Sequence, residues 1–207
     1  MAKKAKKAKK AAAKLHRADQ QVSHRAASHR DSVPVRAAGL LAELGDQPQL
    51  IAVSLATVGA GVAMRRADLI RGGSRMLAAH LVATALKSAI KHRVDRSRPE
   101  HELAGNPGTL RPGSSDDHAL NSFPSGHTAG AVAVARAASR DVHGAGLPAT
   151  LAAGAVAAVQ PLTGSHHLSD VMVGGLIGWL SEAVVSAAFD RVEPAIERRL
   201  AQRFART

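Results

Sequence analysis

The chain of 207 residues is long enough for one domain with a buried core, and the absence of Cys excludes a disulfide framework and any thiolate metal site. Its formal charge of +12 is uneven: residues 1–32 hold ten basic side chains against Asp19 and Asp31, a net +8, and the other 175 residues share +4. The high isoelectric point therefore describes one end of the chain and says little about the core.

Met1–Lys14 reads MAKKAKKAKKAAAK, a Lys/Ala run with no apolar face and no apolar stretch of the kind a secretory signal needs. Residues 1–32 are expected to form a separate, flexible basic tail. Each cation near an anionic lipid surface adds about 1 kcal/mol of attraction. No aromatic residue interleaves the lysines, so contact with nucleic acid is non-specific only. Val33–Leu44 is a short amphipathic piece ended by Gly45-Asp46, too short to span a bilayer and expected on the bundle surface.

Five apolar segments follow: Leu50–Met64, Met76–Ile90, Thr128–Ala138, Leu147–Val159 and Val171–Phe189. None alternates with period two, and Arg71-Gly72-Gly73 and Gly144-Ala145-Gly146 punctuate them, so all five read as helices. Lys87 and Lys91 lie one turn apart, so the end of the second segment presents cations. The polar stretch 92–122 is rich in Pro and Gly and reads as a lid or entrance. At the end of the chain, Val192, Ile196, Leu200 and Phe204 recur every four residues, which predicts an amphipathic surface helix over 191–207. The fold class is all-α: a bundle of about five core helices within residues 33–190, with amphipathic helices flanking it at both ends.

Only Val171–Phe189 approaches the roughly 20 apolar residues of a membrane span, and it carries Glu182. Small-residue faces, Gly59 with Gly61 and Gly174-Gly175 with Gly178, suit close helix packing in lipid. Arg65, Arg66, Arg71 and Arg75 read as a membrane-edge cluster. The expectation is a membrane-embedded bundle of bacterial inner or plasma-membrane type, with a soluble, Ala-rich bundle as the alternative. Five crossings place the loop 65–75 on the cytoplasmic side and the stretch 92–122 outside. They also place the lysine-rich tail outside, against the positive-inside rule.

Three clusters carry chemistry. The first has Lys91 and Arg98 seven apart, closed by Pro99; the second is Pro124-Ser125-Gly126-His127 opening an apolar segment; the third has His166 and Asp170 four apart. A phosphate ester resists attack because its oxygens are negative, so an enzyme must neutralise them, supply a nucleophile and protonate the leaving oxygen. Lys91 and Arg98 suit the first task. Ser125 and Gly126 offer a hydroxyl and N–H groups at a helix start, where the dipole favours an anion. A neutral imidazole attacks phosphorus and a protonated one serves the leaving group. On a helix, Asp170 shares a face with His166 and is expected to hold its tautomer, which makes His166 the better nucleophile and His127 the better acid. Any one cluster alone reads as solvated loop charges, a Ser-capped helix start or a surface ion pair. All three in order, each at a helix end, point to a phosphate-transfer site.

These clusters resemble the three signatures of the type 2 phosphatidic acid phosphatase (PAP2) superfamily, which also contains bacterial acid phosphatases and vanadium haloperoxidases. Lys91, Arg98 and Pro99 match its first pattern, and Pro124, Ser125, Gly126 and His127 its second. Of the third, Ser-Arg, five residues, His, three residues, Asp, only His166 and Asp170 match; Val159 and Gln160 stand at the Ser-Arg positions. The resemblance covers roughly Met76–Phe189. It implies a metal-independent hydrolase acting through a phosphohistidine on a lipid phosphate or pyrophosphate, such as phosphatidate, phosphatidylglycerol phosphate or a polyprenyl pyrophosphate. His166 is the implied nucleophile and His127 the acid and base, with no cofactor. Lys91, Arg98, Ser125, Gly126 and Gln160 are the implied phosphate ligands. Gln160 brings a hydrogen bond without charge, and Arg93 or Arg96 is the candidate replacement. His167 is an alternative third-cluster histidine, one residue short of the spacing. A vanadate-dependent peroxidase is the second reading, and a non-catalytic basic membrane-surface protein the third.

Overall fold

The structure, a computed structural model, describes residues 2–204. Among them are eight α-helices: α1 (Ala2–Ala27), α2 (Val33–Ala42), α3 (Gln47–Ala63), α4 (Ala67–Lys91), α5 (Pro99–Leu103), α6 (Gly126–Asp141), α7 (Gly146–Leu162) and α8 (Leu168–Phe204). Two short strands, β1 (Val94–Arg96) and β2 (Leu110–Pro112), pair antiparallel with Asp95 opposite Arg111. The all-α bundle is as expected, and each of the five apolar segments is a helix.

α4 and α6 form the centre. α3 packs on α4, α7 on α6, and α8 on both. The contact surface is alanine: Ala79 and Ala83 of α4, and Ala129, Ala133 and Ala137 of α6, are fully buried. Small side chains let the helix backbones approach closely. Glycine takes this further at the α6–α8 contact. A Cβ on Gly174 would lie 2.4 Å from the carbonyl oxygen of Ser125, and one on Gly178 would lie 2.4 Å from that of Ala129.

The same packing overturns the expected break at Arg71-Gly72-Gly73, where α4 runs on without a turn. A Cβ on Gly72 would come within 2.7 Å of Val142, and one on Gly73 within 2.7 Å of the Ser54 carbonyl. These glycines serve helix contact. Arg75 is not an exposed member of the arginine cluster. It is 3% exposed, pairs with Asp141 at 2.9 Å, and donates to Ser186 and Asp190. Glu182, the charge inside the longest apolar segment, is fully buried and paired with Arg136 and Arg140 of α6. Its burial is tolerated because two cations and the Ser186 hydroxyl surround it.

Two other expectations change, and a third falls largely outside the described residues. The described part of the basic segment is attached to the bundle: α1 packs against α5, α7 and α8, with Ser23 and Ala27 fully buried. The stretch 92–122 holds α5 and the β1–β2 pair; three-residue strands are too short to leave a periodic signal in sequence. The backbone of Val192–Phe204 continues α8, and its expected amphipathic side-chain arrangement lies outside the described residues beyond Val192. Among the described residues one helix, Leu168–Val192, is long and apolar enough to cross a bilayer; α3 and α7 are apolar but shorter.

Gly178→Ala is expected to lower stability by roughly 1–3 kcal/mol, because the new Cβ meets backbone that cannot move independently. Gly59→Ala meets nothing within 4 Å and is expected to raise it by about 0.5–1 kcal/mol. Thermal unfolding in detergent checks both, and an unchanged midpoint for Gly178→Ala would show that α6 and α8 do not touch there.

Candidate active site

The three clusters meet where α4 ends and α6 and α8 begin. Lys91 is the last residue of α4, Ser125 caps α6, and His166 stands two residues before α8. A cavity of about 350 Å³ lies between them, lined by Lys87, Lys91, Arg98, Gly126, His127 and His166 together with Asp46, Thr84 and His80. The rings of His127 and His166 both line it, edge to face, with centroids 6.5 Å apart.

His166 is 2% exposed, and its Nδ1 lies 2.6 Å from the carbonyl oxygen of Ser122. A carbonyl only accepts, so Nδ1 carries the proton and Nε2 is left with its lone pair. The expected partner, Asp170, stands 3.9 Å from Nδ1, outside hydrogen-bond range. Its carboxylate does other work: it accepts from Arg96, from the Ser122 hydroxyl and from the His167 backbone N–H. Asp170 thus fixes the segment whose carbonyl orients His166. Burial pushes the His166 imidazole down to about 4. The Asp170 carboxylate opposes that shift, and the cationic fields of Arg98 and Lys91 reinforce it. The ring is neutral at neutral pH.

The cations are anchored before any ligand arrives. Lys91 donates to the Asn121 carbonyl at 2.9 Å. Arg98 donates to the carbonyls of His118 and Ser165, and Pro99 at the first position of α5 sets its approach. These bonds leave further donors on both side chains for an anion. His127 pairs through Nε2 with Asp46 at 2.5 Å. Asp46 stands at the N-cap position of α3 but makes no side-chain cap bond there. Its carboxylate serves the imidazole instead of the helix.

The structure therefore brings Lys91, Arg98, Gly126, His127 and His166 to one cavity, with Asp170 directly behind. Ser125 is fully buried, and its hydroxyl contacts Thr128 as the α6 cap. Gln160 is 2% exposed on α7 and does not line the cavity; its carbonyl accepts from the His166 backbone. Neither Arg93 nor Arg96 lines it, whereas Lys87 does. His167 faces away, toward the Ser97 carbonyl and Glu102.

Five residues take roles here that their sequence positions do not specify. Arg96 spans Asp170 and Asp19 of α1, Ser122 serves both Asp170 and His166, and Asp46 holds His127. Asp19 and Ser23 of α1 also accept from the backbone N–H groups of Ser169 and Leu168, capping the start of α8. The Asp-Gln-Pro run that opens α3 signals a helix start, which hides the use made of Asp46. Nothing local singles out Asp19.

The family model described as the PAP2 superfamily matches residues 72–193. No curated protein matches the chain. The crystal structure of Aquifex aeolicus LpxE aligns with a TM-score of 0.55 at 19% identity, covering 81% of this chain and 93% of that one. The structure of a transmembrane PAP2 type phosphatidylglycerolphosphate phosphatase from Bacillus subtilis aligns with a TM-score of 0.58 at 19% identity, covering 86% and 87%. Both share the helical fold.

Asp170→Ala is expected to cost about 3 kcal/mol of stability, the low end for breaking a buried pair, because Asp19 remains on Arg96. Asp170→Asn keeps an acceptor for Ser122 and is expected to cost less. Chemical unfolding in detergent ranks the two, and equal stabilities would remove Asp170 from its linking role.

Proposed function

This chain belongs to the PAP2 superfamily, and on that premise we propose that it is a membrane-associated phosphatase that hydrolyses a lipid phosphate or pyrophosphate through a phosphohistidine. The observation that carries the reading is the shared cavity: two imidazoles 6.5 Å apart beside Lys91 and Arg98. That separation leaves room for one phosphorus between them, each ring about 3 Å from a reacting atom.

In the proposed reaction the Nε2 lone pair of His166 forms a bond to phosphorus as the bond to the leaving oxygen breaks. His127 gives that oxygen a proton. Water then attacks phosphorus, His127 takes a proton from it, and the phosphorus–nitrogen bond returns its pair to His166. Lys91, Arg98 and the N–H groups at Gly126 hold the phosphoryl oxygens while charge spreads over them. Ser125 shapes the α6 start that presents those N–H groups. Asp46 is the group that positions His127.

The outer surface supports a lipid setting. Met172, Leu176, Leu180 and Val184 recur every four residues along α8, and each is exposed. Leu147 and Leu151 on α7, Leu55 and Val62 on α3, and Leu81 and Leu86 on α4 are exposed as well. Apolar side chains on so many outward faces suit contact with acyl chains. The lipid-facing stripe and the glycine face of α8 alternate around one helix.

Purified protein is expected to release phosphate from lipid phosphates in EDTA, and His166→Ala to abolish release. No release from any lipid phosphate or pyrophosphate, with His166→Ala indistinguishable from wild type, would end the reading. The His166 imidazole is depressed to about 4, so its nucleophilic form is present above that pH and lost as pH falls through it. The acid limb of kcat/KM is expected near pH 4, as the free enzyme dictates. Removing residues 2–14 is expected to preserve activity. Asp19→Ala is expected to reduce it about tenfold, through loss of a charge-assisted bond worth roughly 1.5–3 kcal/mol on Arg96. Equal activity in the truncated and substituted proteins would mean that α1 does not support the site.

A further inference from the structure

We infer that His80, Thr84 and Lys87 form a second anion subsite beside the reacting phosphate, which makes the substrate a lipid diphosphate. The inference rests on the phosphatase reading and narrows it.

The cavity does not end at Lys91. It continues along α4, where Lys91, Lys87, Thr84 and His80 lie four, three and four residues apart and so share one helix face. Two features of this face have no use within the folded chain. His80 is 2% exposed, and among the described residues neither of its ring nitrogens has a hydrogen-bond partner. A buried polar group without a partner is destabilising, and a ligand in the cavity would supply one. Lys87 is the second feature. Lys91 and Arg98 are both tied to backbone carbonyls, but no hydrogen bond to the Lys87 ammonium is present among the described residues. The carboxylate whose field reaches it, Asp46, is engaged by His127.

Gly126 keeps this ammonium close to the reaction. A Cβ there would lie 3.1 Å from Lys87 Nζ, so the glycine lets Lys87 sit over the start of α6. Side chains four apart on a helix are about 5–6 Å apart at Cβ, so Lys91 and Lys87 can each grip one of two linked phosphoryl groups. A monoester such as phosphatidate offers this face only an uncharged glycerolipid, and phosphatidylglycerol phosphate holds its second phosphoryl group a whole glycerol unit away. A diphosphate offers it the inner phosphoryl group, with Lys87 as counter-ion and His80 and Thr84 as hydrogen-bond partners.

His166 bonds to the outer phosphorus and the bond from that phosphorus to the bridging oxygen breaks. The bridging oxygen departs on the lipid monophosphate with the proton from His127, and Lys87 offsets the charge of that leaving group. Water then releases inorganic phosphate from His166.

Isothermal titration of the full chain in detergent, with inorganic phosphate and methylenediphosphonate as probes, tests this without turnover. Wild type is expected to bind the diphosphonate about tenfold or more tighter than phosphate. Lys87→Met is expected to erase that preference, Lys87→Arg to retain most of it, and His80→Ala to reduce it. Lys91→Met is expected to weaken both probes. Circular dichroism of each variant establishes that it is folded, and Lys87→Gln replaces Lys87→Met if that variant is not. No preference in wild type, or a charge-removing variant (Lys87→Met, or Lys87→Gln in its place) that weakens both probes equally or neither, overturns the second subsite. If Lys91→Met still weakens both, the phosphatase reading survives that result. Wild type binding neither probe would overturn both.

Discussion

The buried carboxylate of Asp170 ties the site together. It receives Arg96 from the first cluster, the Ser122 hydroxyl from the approach to the second, and the His167 N–H within the third. Its own backbone carbonyl accepts from the Ser125 N–H. A carboxylate this deeply buried is stable only when its lone pairs are filled, and here each donor comes from a different part of the chain. Backbone bonds follow the same lines: Ser122 N–H donates to the Arg96 carbonyl and Arg98 N–H to that of Ala119. The consequence for chemistry is indirect. Asp170 holds Ser122, the Ser122 carbonyl holds His166 Nδ1, and the opposite nitrogen is left free.

Around this hub, small residues set distances and charges set directions. The alanine face between α4 and α6 and the glycines of α8 bring helix backbones close enough for residues on three helices to share one cavity. Such a bundle cannot rely on large buried side chains, since its core is mostly methyl groups. Specificity of packing comes instead from buried ion pairs that fit one register, Arg75 with Asp141 and Glu182 with Arg136 and Arg140. Each pair links helices distant in sequence, and a shifted register would strand a charge in the core.

The amino-terminal helix shows how composition misleads when charge density is taken for independence. Its lysines are solvent-exposed wherever they are described. Yet Asp19 and Ser23, on the same helix, fill the N-terminal donors of α8, and Gln20 and His24 reach Glu102. One helix combines a cationic, solvated half with a half that belongs to the core.

Local spacing in the sequence determined the helices, because five apolar segments without a period of two cannot be half-buried strands. It also determined which residues to examine: the Lys-to-Arg-Pro interval, the Ser-Gly-His helix start and the His-to-Asp interval each constrain a single turn or helix end. Only the tertiary structure decided what those residues face. It put the Ser122 carbonyl rather than Asp170 on His166 Nδ1, Lys87 rather than Gln160 or Arg93 in the cavity, and Asp19 against Arg96. It also ran α4 through Gly72 and Gly73. Periodicity is a property of neighbouring residues, so it can be read along the chain. The partner of a buried donor depends on how closely segments up to 150 residues apart can approach, as Ser169 and Asp19 do. That approach is governed by which side chains are small enough at the contact.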